Sequence, residues 1–252
     1  MTSRGARVLV VGAGGLGAPA LRLLACAPEI RVITVVDDDV VERSNLHRQT
    51  LFDEGDVGAP KVARAVVRLR ALAEAALSGV EVRGVETRFV PDRALALLEG
   101  VTLVVEGADN FATKFLVADA CARARIPVVQ AGCVRWAGWA FASVPGESAC
   151  LRCVFEDIPA RLAARTGQVA SPETCAEAGV VGPVVGVLGA LEAVLALRLI
   201  AGDARAAGVL WRYDGQRGSV RRSRVRRRAG CPLCEGVVPS LSMDDYTAPA
   251  CA

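Results

Sequence analysis

The chain has 252 residues, of which 52% are hydrophobic, 23% charged and 4% aromatic. That length fits one large α/β domain or two small ones, and the apolar content excludes a chain that stays solvated and disordered. A net charge of +3 gives no argument for a nucleic-acid partner, and the single histidine, His47, excludes any site that needs two. Only Lys61 and Lys114 are lysines; 28 of the 30 cations are arginine, so each lysine is worth inspecting. Residues 1–12 lack the basic, apolar and cleavage regions of a secretory signal. The most apolar stretch, 179–191, is 13 residues long before Glu192 interrupts it. A bilayer span needs about 20 apolar residues. A soluble, cytoplasmic protein without membrane contact is expected, its nine cysteines reduced, so that paired cysteines read first as metal or redox sites.

In chain order, Arg7 to Val11 is an apolar run ending in glycines, which predicts a buried strand. Leu16 to Cys26 follows as a helix and Val32 to Val36 as a second buried strand ending at Asp37. Lys61 to Ala76 has apolar residues at helical spacing, with Arg64, Arg68 and Arg70 among them. Val80 to Arg88 alternates like a strand, Asp92 to Leu98 predicts a short helix, and Thr102 to Glu106 another buried strand. Asn110 to Arg125 reads as helix, and Pro127 to Gln130 begins the next strand. Strands alternating with helices of this length imply right-handed crossovers and a mostly parallel sheet. Val134 to Val144 is strand-like with no room for a crossover helix, so an antiparallel extension is expected there. A long buried helix over about 181–200 precedes two short strands, Val209 to Asp214 and Ser219 to Val225. Residues 239–252 show no periodicity and read as a flexible C-terminal tail beyond a domain spanning 1–238.

Gly12, Gly14 and Gly17 form G-x-G-x-x-G between the first strand and its helix, and Asp37 ends the second strand. Glycines there permit a tight turn and the approach of a phosphate to helix N-terminal amides, while the acid can bind ribose hydroxyls. The motif predicts nucleotide binding but does not separate NAD from ATP. The segment from Asp37 through Asp39, Asn45, Leu46, His47 and Arg48 to Gln49 adds to it, together with Gly14-Gly15-Leu16-Gly17. So do Gly58-Ala59-Pro60-Lys61, Gly107-Ala108-Asp109-Asn110, Cys150-x-x-Cys153, Thr174-Cys175-Ala176-Glu177 and Cys231-Pro-Leu-Cys234. In this order, over about residues 6–236, the motifs resemble the MoeB/ThiF family, bacterial relatives of ubiquitin-activating enzymes.

The resemblance implies a Rossmann-like, mostly parallel sheet flanked by helices, with antiparallel C-terminal strands and a structural zinc site. It implies an enzyme that uses ATP and Mg²⁺ to adenylate a carboxylate, usually the C-terminal glycine of a small ubiquitin-like sulfur carrier protein ending in Gly-Gly. That carboxylate, with a pKa of about 3.5, is already an anionic nucleophile at neutral pH, so no general base is needed. The reaction calls for positioning and charge neutralisation. By the resemblance, Gly12, Gly14, Gly15 and Gly17 cradle the nucleotide and Asp37 takes the ribose. Arg48 and Lys61 bind the triphosphate, Asp109 beside Asn110 holds magnesium, and Asp39, Asn45 and Gln49 shape the catalytic loop. His47 fills a variable slot and is expected to be peripheral. A homodimer and a separate sulfur donor protein are also expected.

Two departures from the family pattern stand out. Relatives carry an N-terminal arm whose arginine reaches the partner subunit's ATP site, for which this chain offers only Arg4 and Arg7. Where the family often has Arg and Asn, five and nine residues past the aspartate, this chain has Lys114 and Ala118. Lysine cannot make arginine's bidentate phosphate contact.

Cys150-x-x-Cys153 and Cys231-x-x-Cys234 are two knuckles separated by 77 residues, and four thiolates suit a closed tetrahedral zinc site. A redox dithiol would explain only one pair. Cys175 lies in a polar stretch ahead of the long helix, where a thiolate can be exposed; its position matches a family cysteine that some members use as a sulfur or thioester carrier. Cys26, Cys121 and Cys133 are expected in the core, and Cys251 is a lesser candidate for sulfur handling. Residues 221–228 carry six arginines, as a docking surface for an acidic partner or tRNA, or as a charged guard on an edge strand. The competing functions are adenylation of another carboxylate (a peptide or modified tRNA), a nicotinamide dehydrogenase, which leaves Arg48, Lys61 and Asp109 without a role, and a scaffold that binds a carrier without adenylating it.

Overall fold

The computed structural model describes residues 5–157, 178–237 and 240–246. Strands and helices alternate through β1 (Ala6–Val11), α1 (Gly17–Leu24), β2 (Ile30–Asp37), α2 (Lys61–Ala75), β3 (Glu81–Glu86), α3 (Pro91–Leu97), β4 (Leu103–Glu106) and α4 (Phe111–Ala124). Then come β5 (Val128–Val134), β6 (Ala137–Ser143), the short α5 (Leu151–Phe155), α6 (Gly182–Ile200), β7 (Val209–Asp214) and β8 (Ser219–Arg224). All eight strands join one sheet, in the order β3-β2-β1-β4-β5-β6-β7-β8. β1 to β5 are parallel, and β6, β7 and β8 extend the sheet antiparallel. The reversal between β5 and β6 falls at Arg135 and Trp136, with Arg135 in the left-handed region at φ +53.

Period-two side chains sort the core into two layers. Val8 and Val10 of β1 face a layer with α1, α2 and α6, through residues such as Leu21, Leu69 and Leu188. Leu9 and Val11 face the other, with α3 and α4, through Ala94, Phe115 and Leu116. α6 is long and apolar enough, by length and composition, to cross a membrane. It packs instead along α1 and under β4, β5 and β6, with Glu192 on its buried side. The crossing with α1 is close: a Cβ on Gly189 would stand 2.4 Å from the Leu16 carbonyl oxygen.

The segment read as a loose tail is docked over residues 240–246. Leu241 and Tyr246 are buried in the second core layer, and a capping box built by Ser242 and Asp245 closes a short turn over Met243–Asp245. Two apolar side chains five residues apart in a polar stretch carry no periodicity, which is why the sequence pattern gives no sign of this docking.

Candidate functional site

Strand order reverses between β1 and β4, and the crevice past their carboxyl ends is where an open parallel sheet binds ligands. The loop Gly12–Leu16 lies there against the loop that starts at Gly107. Gly12 has φ +91, and a Cβ on Gly17 would stand 1.9 Å from the Gly12 carbonyl oxygen, so the turn closes only with glycine at both. At Gly14 a Cβ would meet nothing nearer than 3.8 Å. Packing does not explain that glycine, whereas the approach of a ligand does.

The crevice is a cavity of about 700 Å³, lined by Gly12, Gly14, Gly15, Asp37, Asp39, Asn45, Arg48, Gln49, Lys61, Asp109 and Asn110 among others. Every candidate cofactor residue named from the sequence lines this cavity except Gly17, which is packed behind the loop. Asp37 Oδ2 accepts from the Ala13 amide at 2.7 Å and Oδ1 from the Asp39 amide at 2.9 Å, so this carboxylate ties the glycine loop to the end of β2. Burial pushes Asp37 above the usual carboxylate range, against the pull of Lys61. Lys61, almost fully buried at the start of α2, donates to Asp39 Oδ2 at 2.8 Å. Arg48 donates to the Ser44 carbonyl at 3.2 Å and to Asn45 Oδ1, and Asn45 in turn donates to Glu42 Oε2 at 3.2 Å. Gln49 is buried, and its amide oxygen has no hydrogen-bond partner among the described residues. A buried amide atom left open at a cavity wall is one that a polar ligand satisfies. Asp109 is exposed at the mouth, while Asn110 caps α4 by accepting from the Thr113 amide at 2.8 Å. His47 is exposed, its Nδ1 2.9 Å from the Ser44 carbonyl.

Lys114 does not stand in for a phosphate-binding arginine in this arrangement. Its ammonium donates to Glu106 at 3.1 and 3.3 Å and to the Ala131 carbonyl. Glu106 is fully buried and also accepts from Gln130 at 3.1 Å and from the Ala108 amide at 2.7 Å. Burial raises the Glu106 pKa while Lys114 pulls it back. This cluster sets the loop 107–109 beneath the cavity, and sequence reasoning missed it. Its one signal is a glutamate at the end of an otherwise apolar strand. Ala118 is buried in the core and faces away from the cavity, toward the cysteine knuckles. Arg7 is held by the Gly100 carbonyl at 2.9 Å, outside the cavity lining. Arg4, Cys175 and Cys251 lie outside the described residues.

The four knuckle cysteines come together behind the sheet. Their sulfurs all lie within 4.8 Å of one another, with neighbouring pairs at 3.4 to 3.8 Å. Sulfurs 2.3 Å from a tetrahedral zinc are about 3.8 Å apart, so the set fits that ion and leaves no open position. The Arg228 amide, 3.3 Å from Cys153 Sγ, adds a donor to the cluster. Burial and the neighbouring sulfurs push the Cys150 thiol up. Cys121 and Cys133 are buried as expected; Cys26 is not, since it lies in the turn after α1, exposed, with its sulfur 3.4 Å from the Arg22 carbonyl. The arginine run spans the end of the edge strand β8 and the four residues after it: Arg224 donates to the Ala207 carbonyl at 2.7 Å, Arg227, past the strand, to the Ser148 carbonyl at 3.3 Å, and Arg222 covers Trp211 at 5.1 Å.

A family model described as the ThiF family matches residues 2–233. The SAMP-activating enzyme E1 of Haloferax volcanii is 37% identical over 242 residues, covering 95% of this chain and 84% of that protein. The sulfur carrier protein adenylyltransferase of Thermus thermophilus is 39% identical over 249 residues, covering 96% and 87%. A structure of E. coli MccB with MccA-N7isoASN shares the fold, with a TM-score of 0.73 at 23% identity over 92% of this chain and 67% of that one. The chain belongs to the ThiF family and is an adenylyltransferase of the ThiF/MoeB type.

Proposed function

We propose that this enzyme activates the C-terminal carboxylate of a small ubiquitin-like sulfur carrier ending in Gly-Gly, as an acyl-adenylate, for a sulfur-transfer pathway in the cytoplasm. The observation that carries the reading is one cavity in which the glycine loop, two cations and an exposed carboxylate converge. A carboxylate oxygen of the carrier attacks the α-phosphorus of ATP, a P–O bond forms, the bond to the β-phosphate breaks, and pyrophosphate leaves. Arg48 and Lys61 offset the charge of the phosphates, the loop amides near Gly14 receive them, and Asp37 orients the ribose. Asp109 suits Mg²⁺, a hard cation that takes carboxylate and phosphate oxygens. Asn45 and Gln49 position Arg48 and the loop, and Asn110 fixes the start of α4 beside Asp109. Lys61 exchanges Asp39 for phosphate when the nucleotide enters.

Zinc in the Cys150, Cys153, Cys231 and Cys234 cluster is a structural ion in this reading, pinning the C-terminal strands to the body of the domain. Cys175 acts after adenylation as a sulfur or thioester carrier, with sulfur from a separate donor protein. The half-exposed valines Val187 and Val194 on α6 support a homodimer. The test is ATP–pyrophosphate exchange with magnesium against a panel of Gly-Gly carriers. Exchange with one carrier, lowered at least a hundredfold by Asp109→Ala or Lys61→Ala, is the expected outcome. ATP binding without exchange for any carrier would move the substrate to another carboxylate, and no ATP binding would leave a scaffold.

A further inference from the structure

The cavity is not walled by the glycine loop and its neighbours alone. Thr87 donates its amide to the Asp37 carbonyl at 3.2 Å, so the stretch after β3 runs beside the ribose position. Arg88, Phe89, Val90 and Pro91 continue from it in the lining of the cavity, which Leu116 of α4 shares. Met243 and Tyr246 also line this cavity, although they come from the docked C-terminal segment.

That segment is anchored from behind. The Tyr246 hydroxyl donates to Asp119 Oδ2 at 2.9 Å, and Asp119 is fully buried on α4. Arg152 holds the same carboxylate in a two-point contact, at 2.9 and 2.7 Å, and lies 4.8 Å over the Phe115 ring. Arg152 sits between Cys150 and Cys153, so one buried chain of contacts links the cysteine knuckle to the cavity wall. Ser240 and Ser242 both donate to Asp245 Oδ2, at 2.7 and 3.2 Å, which sets the turn that presents Met243. Met243 is 52% exposed in the cavity lining, so its flexible, polarisable side chain is open to a ligand there.

We propose that residues 241–246 are part of the nucleotide site: Met243 and Tyr246 close the slot that takes the purine base, held in place by the Tyr246–Asp119–Arg152 chain. This rests on the nucleotide reading above. It assigns the segment a binding role and makes base recognition depend on a stretch outside the glycine-loop unit.

The test is titration calorimetry of the full-length protein with ATP and with inorganic tripolyphosphate, which carries the phosphates without a base. Met243→Ala, on an exposed side chain, leaves the fold intact; it should weaken ATP about fivefold, or about 1 kcal/mol, and leave tripolyphosphate unchanged. Tyr246→Phe keeps the ring but cuts the bond to Asp119, so a smaller loss for ATP alone is expected. Equal losses for both ligands, or ATP affinity unchanged in both variants while Lys61→Ala lowers it, would overturn the wall and leave the nucleotide reading standing. Failure of the wild-type protein to bind ATP would overturn both.

Discussion

The parallel and antiparallel halves of the sheet reach a fixed geometry by different means. In the parallel half, backbone runs against backbone: Gly17 lies so close to Gly12 that no side chain fits, and the Gly107 amide donates to the Val11 carbonyl at 3.0 Å. In the antiparallel half, long side chains and sulfur span the gaps, as when Arg224 and Arg227 reach carbonyls across a turn and four cysteines gather from two distant knuckles. On the proposed reading, the first half holds a ligand by leaving room for it, and the second is cross-linked by zinc at its four cysteines. Loss of a cross-link should therefore act on stability first, whereas a change in the loop should act on either folding or binding according to which glycine is touched.

The largest expected effect follows from the sulfur cluster. A Cys150→Ser, Cys231→Ser double variant should lose the zinc proposed for this cluster, by metal analysis, and lower Tm by roughly 10 °C or more, the shift that about 3–5 kcal/mol gives in a domain of this size. If chelation strips the metal and Tm does not move, the antiparallel half is not held by its cross-link and the contrast breaks down.

Within the glycine loop the contrast can be made finer. Gly17→Ala places a Cβ 1.9 Å from a carbonyl oxygen, so a loss of several kcal/mol in urea unfolding is expected. Gly14→Ala meets no protein atom within 3.8 Å and should leave Tm unchanged, while ATP binding falls about tenfold because the methyl occupies the phosphate's approach. Equal destabilisation by both substitutions would mean the loop is shaped by packing alone.

How legible each half is in the sequence follows from the same contrast. β1, β2, β4 and α2 announce themselves because buried strands are runs of Val, Leu and Ile, and because Lys61 begins a helix with apolar residues at helical spacing. The glycines and the two C-x-x-C pairs are visible because their chemistry demands a residue type at a fixed spacing. The Glu106–Lys114–Gln130 cluster is not, since its members are 8, 16 and 24 positions apart and meet only once β4, α4 and β5 are packed. Tyr246 and Asp119 are 127 positions apart, and nothing local to either marks the pair. The exposed position of Cys26 likewise turns on where α1 ends: the helix read from the sequence to Cys26 stops at Leu24, and the turn that follows carries the thiol outward.

The last and smallest expected effect lies on α6, which packs on α1 of the parallel half and on β6 of the antiparallel half. Glu192 is fully buried there, and neither carboxylate oxygen has a hydrogen-bond partner among the described residues. Burial pushes its pKa well above the ordinary 4.5; Lys114 pulls it down and Glu106 pushes it further up. The folded state thus keeps this proton after the unfolded chain has released it. Below pH 4.5 both states are protonated and the group adds no pH dependence. Above it, stability falls by up to about 1.4 kcal/mol per pH unit, until the folded carboxyl ionises as well. Glu192→Gln removes the proton exchange at nearly constant shape. Urea unfolding should find the variant's stability relative to wild type rising by about 1 kcal/mol or more between pH 4.5 and pH 7. Parallel pH profiles for the two proteins would mean that Glu192 is ionised in the fold, and that a cation or donor at the seam between the halves holds its charge.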